Sequence, residues 1–438
     1  MTWAIALGWA LALPVAAASV PGDEEPKLSI PAAARAQPGF DVDRATEAWL
    51  ATLTAEQRAQ SDAYFEGGYW IEAFGWILGL AIAAWLLGSG LARRGRDFAR
   101  RRIRSRYLAD AVAAGLFLAA MAVLEFPWTL WTDFFREHAY GLANQGFAAW
   151  LGDWAKGLAV TLVFMSPAIA LIYVVVRRSP RNWWLWASVC STALLAFGMT
   201  VAPVFIAPLF NKYQALPAGE LRDEILTLAH ANRVPATDVY WFDASRQSKR
   251  VSANVSGLLG TTRISLNDNL LRRSPRETVL AVLGHEMGHY VLNHVWELLL
   301  EISVVLLAGF ACVRFAFDRT VARWGRRWGV EGLADTAGLP LATALFSTFL
   351  FVATPAVNTL IRANEAEADA FGVNAAQQPD GFAFAALQLA EYRKMRPGKL
   401  EEILFYDHPS GYDRIHRAME WKAAHLDQCA EREARAGE

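Results

Sequence analysis

The 438 residues include 54% hydrophobic side chains and 18 tryptophans, with a formal net charge of −1. A chain this apolar reads as membrane-embedded rather than as two or three soluble domains, and its charge balance argues against nucleic acid as a partner. Three cysteines, Cys190, Cys312 and Cys429, with no CxxC pair, leave neither a disulfide framework nor a zinc ribbon.

Residues 1–20 form an apolar run ending in Ala16-Ala17-Ala18, readable as a signal peptide or as a first membrane helix. A polar segment, 21–68, follows. A transmembrane helix needs about 20 mostly apolar residues, and six later stretches meet that condition: Tyr69–Leu91, Leu108–Trp131, Gly157–Val176, Trp183–Phe210, Leu298–Phe317 and Leu339–Leu360. They divide the chain into a four-helix membrane region (69–210), a hydrophilic segment (211–297), two further spans (298–360) and a C-terminal part (361–438). Segment 218–275 reads as a small α+β unit, with a helix over Gly219–Asn232 and strands at Asp238–Phe242, Val251–Val255 and Arg263–Leu266.

Basic residues set the orientation. Eight arginines fall within Arg93–Arg106, three in the turn at 177–182, and Arg319, Arg323, Arg326 and Arg327 in the loop after Phe317, all on one side by alternation of spans. With these loops cytoplasmic, segment 211–297 and the C-terminal part face outward. Glu125 and Glu301 sit at membrane depth, where an acid reads as chamber lining or as interfacial.

The chemistry is carried by His285-Glu286-Met287-Gly288-His289, inside an apolar run, 274–300, that reads as one helix. Ser274, Pro275 and Glu277 predict its N-cap, first position and capping box. Residues four apart share a helix face, so one zinc ion at about 2.0–2.1 Å from each imidazole can bind His285 and His289. Glu286, beside that face, is placed to take a proton from a water that the metal polarises. Burying two imidazoles and a carboxylate among apolar neighbours without a ligand is costly. A catalytic zinc keeps three protein ligands and one open position. Ile361–Ala370, continuing the last span, offers Glu365 as the third ligand and, four residues on, Asp369 as acceptor from a ligand imidazole. Nothing in the spacing of His294 favours it as the third ligand, and Glu367 reads as solvated.

HEMGH together with Glu365-Ala366-Glu367-Ala368-Asp369 resembles the type I CaaX prenyl endopeptidases and the related HtpX-type membrane proteases. Pro203–Lys212, Phe126–Leu130, and Ser252-Ala253-Asn254 with Arg263–Asp268 carry the resemblance from about residue 60 to 425 and favour the CaaX branch. It implies His285, His289 and Glu365 as ligands of one zinc per chain, Glu286 as base, and Asp369 as a supporting group or proton donor. It further implies His408, of the His408-Pro409 pair, as an oxyanion donor, and Arg414 as a residue that orients a substrate carboxylate or braces Glu365. Ala253 and Asn254 would lie on an edge strand that pairs with substrate, or be plain sheet structure.

The expected fold is therefore mainly α: a polytopic membrane protein of six to seven transmembrane helices enclosing a chamber, with a zincin-like α+β catalytic domain. The expected function is a zinc metalloendopeptidase acting on peptide or protein substrates, lipidated or membrane-embedded, with the bilayer as its other partner. A quality-control protease of HtpX type is the alternative within that class. A non-catalytic scaffold with structural zinc is the alternative outside it, and the glutamate inside HExxH is the feature such a scaffold does not need. The resemblance puts the zinc on the cytoplasmic side and the arginines put it outside; the outside placement favours quality control or peptide processing.

Overall fold

A computed structural model of the chain describes residues 26–256 and 262–437. The apolar stretch 1–20 lies outside the described residues. In chain order the first half comprises α1 (Val42–Leu50), the long α2 (Ala55–Gly88), the arginine-rich α3 (Leu91–Arg102) and α4 (Arg106–Thr129). Helix α4 widens into a π-helical stretch (Leu130–Arg136) just after Pro127 and ends in α5 (Glu137–Ala139); α6 (Phe147–Arg178) and α7 (Trp183–Val201) follow. Segment 213–291 holds β1 (Tyr213–Ala215), α8 (Glu220–Ala231), β2 (Val239–Phe242), β3 (Ala253–Ser256), β4 (Arg263–Asn267), α9 (Asp268–Arg273) and α10 (Arg276–Val291). Then come α11 (His294–Trp328), α12 (Leu339–Ala376), α13 (Pro379–Gln388), α14 (Lys399–Phe405), α15 (Gly411–Ala424) and α16 (Leu426–Gly437).

Six of these helices, with their short extensions, are long and apolar enough to cross a bilayer: α2, α4, α6, α7, α11 and α12. The structure thus has the six expected spans, most of them longer than the apolar stretches because their ends run on into polar sequence. Helix α2 starts early for a local reason. Thr54 Oγ1 accepts from Gln57 N (3.1 Å) and Gln57 Oε1 accepts from Thr54 N (2.9 Å), a capping box ahead of the apolar run. Each span packs on the next and α12 returns to α2, closing a ring. No span buries more than 33% of its most apolar stretch within the protein, which leaves most of that surface to face lipid or the inside of the ring.

The arginines collect at one end of the ring. Helix α3 docks there through Arg96, which is paired with Asp335 ahead of α12, and Asp110 pairs with Arg177 at 2.6 Å. The opposite end carries the α+β unit. Its sheet has the order β1-β2-β4-β3, with β2 and β4 parallel and the outer pairs antiparallel. The alternating inward side chains Val239 and Trp241, together with Ile264 and Leu266, pack on Leu283 and Met287 of α10 and Ile225 of α8. A second core joins α13 and α15 to Trp49 and Leu50 of α1, so the polar N-terminal segment is folded onto the C-terminal helices. The fully buried Lys422 ties these pieces together, donating to Asp380 (2.7 Å) and to the Ala34 carbonyl (2.6 Å), with Glu433 at 2.6 Å.

Two sequence expectations fail around the HExxH helix. No capping box forms: Pro275 occupies the N-cap, and Ser274 Oγ donates instead to Gln388 Oε1 at 2.9 Å, a partner from α13 that outcompetes the local cap. Nor does one helix run over 274–300. Asn293 adopts the left-handed conformation (φ 61°), which asparagine tolerates, and this turns the chain sharply between α10 and α11.

Candidate metal centre and active site

Two helices meet almost without side chains between them. On α10, Gly284 and Gly288 face Ala368 and Gly372 of α12, and a β-carbon at Gly284 would sit 2.8 Å from the Gly372 carbonyl oxygen. That close approach brings the acidic stretch of α12 over the histidines of α10. His285 Nε2 lies 3.2 Å from His289 Nε2 and 3.3 Å from Glu365 Oε2, and His289 Nε2 lies 3.4 Å from Glu365 Oε1. Among the described residues these three form the one cluster of His, Cys, Asp or Glu groups close enough to share an ion.

The donor set fits a small divalent cation. A tetrahedral ion bonded at about 2.0–2.1 Å holds its ligand atoms roughly 3.3 Å apart, which matches these separations. Glu365 Oε2 is buried and has no hydrogen-bond partner, and His285 turns its other nitrogen, Nδ1, toward Asp369 Oδ1 at 2.8 Å. Three acceptors therefore converge where positive charge is needed. Burial opposes a charged His285, but the carboxylates of Asp369 and Glu365 outweigh it and raise its pKa to about 9. Burial and the neighbouring His285 hold His289 down to about 4.

The surrounding residues fix the ligands. Asp369 is fully buried and receives a two-pronged grip from Arg414, Nε to Oδ2 at 3.0 Å and Nη2 to Oδ1 at 2.5 Å. Ser410 caps α15 by accepting from Asp413 N and so places Arg414 in the first turn. Arg414 thus braces Asp369, and through it His285, while also lining the adjoining cavity. His408 Nε2 stands 3.3 Å from Glu365 Oε2, with its Nδ1 2.8 Å from Asp407 Oδ1.

A cavity of about 330 Å³ opens beside the cluster, lined by His285, Glu286, Ala253, Tyr392, His408 and Arg414 among others. Burial pushes the Glu286 carboxyl up to about 7. Strand β3 is the outer strand of its sheet. The Ser252 carbonyl accepts from Asn267 N, so by alternation Ala253 and Val255 present their backbone groups to the free edge. Ala253 lines the cavity, whereas the Asn254 side chain is exposed. Sequence reasoning missed Tyr392, Arg393 and Asp407, which no motif marks; only the adjacency of Asp407 to His408 could have drawn notice.

A paired-histidine helix, a carboxylate from a second helix and a glutamate facing the adjoining cavity define the site of a membrane metallopeptidase. Comparison with known proteins agrees. A model described as peptidase family M48 matches residues 215–422, and one described as the CAAX prenyl protease N-terminal region, with five membrane helices, matches 44–212. Within 44–212 this chain has four spans and the arginine-rich α3. The uncharacterized metalloprotease YhfN of Bacillus subtilis is 29% identical over 349 residues, 79% of this chain and 82% of that protein. A CAAX prenyl protease 1 homolog of Arabidopsis thaliana is 28% identical over 300 residues, 67% and 69% of the two chains. The crystal structure of S. mikatae Ste24p superposes with a TM-score of 0.71 at 22% identity, covering 84% of this chain and 89% of that one, a likeness of fold. The chain belongs to the M48 membrane metallopeptidases of the CAAX prenyl protease type.

Proposed function

We propose that this protein is a zinc-dependent endopeptidase that hydrolyses peptide bonds of substrates entering from the membrane ring. His285, His289 and Glu365 would hold the ion; bound zinc supplies Lewis acidity, lowering the pKa of water and polarising a carbonyl. The chain's own residues do the rest. Glu286 takes the proton from the attacking water and passes it to the leaving amine. The free edge of β3 at Ala253 aligns an extended substrate backbone. His408 Nε2 donates to the oxygen on which negative charge develops. Asp369, held by Arg414, fixes the His285 ring.

The observation that carries this reading is the convergence of His285, His289 and Glu365 beside a cavity that also exposes Glu286. It favours catalysis over a structural zinc, which takes four protein ligands and leaves no open position. The decisive comparison is wild type against E286Q, both purified in detergent and incubated with a mixed peptide library. The substitution should keep zinc and lower turnover by roughly 10²–10⁴-fold. Undiminished cleavage by E286Q would dismiss the mechanism.

The arginine-rich end of the ring supports a cytoplasmic placement for that end and an extracytoplasmic one for the site. Processing or quality control of membrane-associated peptides then fits better than maturation of cytosolic prenylated proteins. Protease digestion of sealed vesicles tests this, since cleavage within 211–291 from the cytoplasmic side alone would reverse the assignment. Paired peptides with and without a prenyl group would show whether the lipid is required.

A further inference from the structure

His294 has no part in the chemistry above, yet its position is tightly specified. The left-handed Asn293 ends one helix and starts the next, and the first residue beyond the corner is His294, 4% exposed. Its ring turns back onto the HExxH helix and meets His289 edge-on, with centroids 5.1 Å apart at 73°. His294 Nδ1 lies 2.9 Å from His289 Nδ1. Its Nε2 is buried, and 3.6 Å away is Oε2 of Glu367, two residues beyond Glu365 on α12.

Two nitrogens 2.9 Å apart share a single proton, and the rest of the network decides where it sits. If His294 Nδ1 carried it, the neutral His289 would hold its own proton on Nε2, the atom that faces His285 and Glu365. That would leave no lone pair for an ion. If His289 Nδ1 carries it, Nε2 is free, and His294 keeps its proton on Nε2, which is buried with the Glu367 carboxylate 3.6 Å away, beyond hydrogen-bond reach. Only the second arrangement leaves His289 able to ligate.

We propose that His294 is a positioning residue for the metal centre, accepting the Nδ1 hydrogen of His289 and thereby fixing its tautomer and ring angle. The inference rests on the zinc reading of the site. Two different supports then stand behind the imidazoles, the Arg414–Asp369 pair behind His285 and the single ring of His294 behind His289. The first is a buried charged pair, whereas the carboxylate nearest the second, Glu367, stands 3.6 Å off with its side chain 65% exposed. The two imidazoles are therefore held unequally.

The test uses the full chain in detergent, with zinc affinity measured by competition against a chromophoric chelator and site geometry read from the visible spectrum of the cobalt-substituted protein. H294L should weaken zinc binding roughly 10–100-fold, the usual effect of losing a partner behind a ligand, and shift the cobalt bands. H294N should restore both, because the asparagine Oδ1 stands near the imidazole Nδ1 position and accepts the same hydrogen. H294Q, whose amide reaches instead toward the Nε2 position, should restore less. H294L binding zinc like wild type, or H294N failing as badly as H294L, overturns the assignment while leaving the zinc site standing. A wild-type protein that binds no zinc removes both.

Discussion

Substituting Gly372 with alanine tests how the two helices that carry the candidate metal ligands are held together. The added β-carbon would lie 2.6 Å from the His285 backbone nitrogen and 2.8 Å from its Cα. Ordinary contact begins near 3.4 Å, so α10 and α12 must part by about 0.8 Å, since close-packed backbone has nowhere else to go. Overpacking of this kind costs about 1–3 kcal/mol, set against the gain of up to about 1 kcal/mol that alanine has over glycine inside a helix. Glu365 lies two turns from Gly372 on the same face, so the displacement reaches the carboxylate. Metal–ligand distances tolerate roughly 0.2 Å, and a misplacement near 1 Å can cost about 10²-fold in rate. G372A should therefore show zinc affinity and turnover reduced by about two orders of magnitude, alongside a lower thermal midpoint. Gly157, on α6, is the control, because nothing lies within 4 Å of where its alanine methyl would sit: G157A should be neutral or slightly stabilising. Wild-type zinc content and rate in G372A would refute the idea that glycine contact sets the ligand geometry.

Two further outcomes follow from the charges. As the proposed base, Glu286 must be ionised, and burial raises it to about 7. A bound cation draws that value down, so kcat/KM should decline tenfold per pH unit below a midpoint at or under 7; a midpoint above 7 in the pH–rate profile would rule Glu286 out as the base. K422M should destabilise the catalytic unit by about 3–5 kcal/mol, because it strands Asp380 and Glu433 without their buried cation. Chemical denaturation followed by tryptophan fluorescence measures this, and a loss under about 1 kcal/mol would show the pair to be screened.

The membrane spans were legible because hydrocarbon thickness imposes a length that composition reveals, and six stretches satisfied it. HExxH and Glu365 were legible because their spacing matches a helix face. What escaped was set by long-range partners. Ser274 looked like a cap until Gln388, over a hundred residues on, took its hydroxyl. The turn at Asn293 interrupts an otherwise helical pattern, and only the packing of α11 against α12 and α7 explains why the chain bends there. Residues 42–50 looked like polar connector, yet Trp49 and Leu50 fill a core built mainly by residues after 370. The grip of Arg414 on Asp369 needs α15 laid against α12, which no local pattern announces.

That late-built core bears on how a cell makes such an enzyme. The imidazoles of α10 leave the ribosome first. Glu365 follows some eighty residues later, and Arg414 and Lys422 later still. Until those have emerged, the HExxH helix has no carboxylate partner and no brace. The site is therefore assembled only when the last sixth of the chain folds back onto its middle.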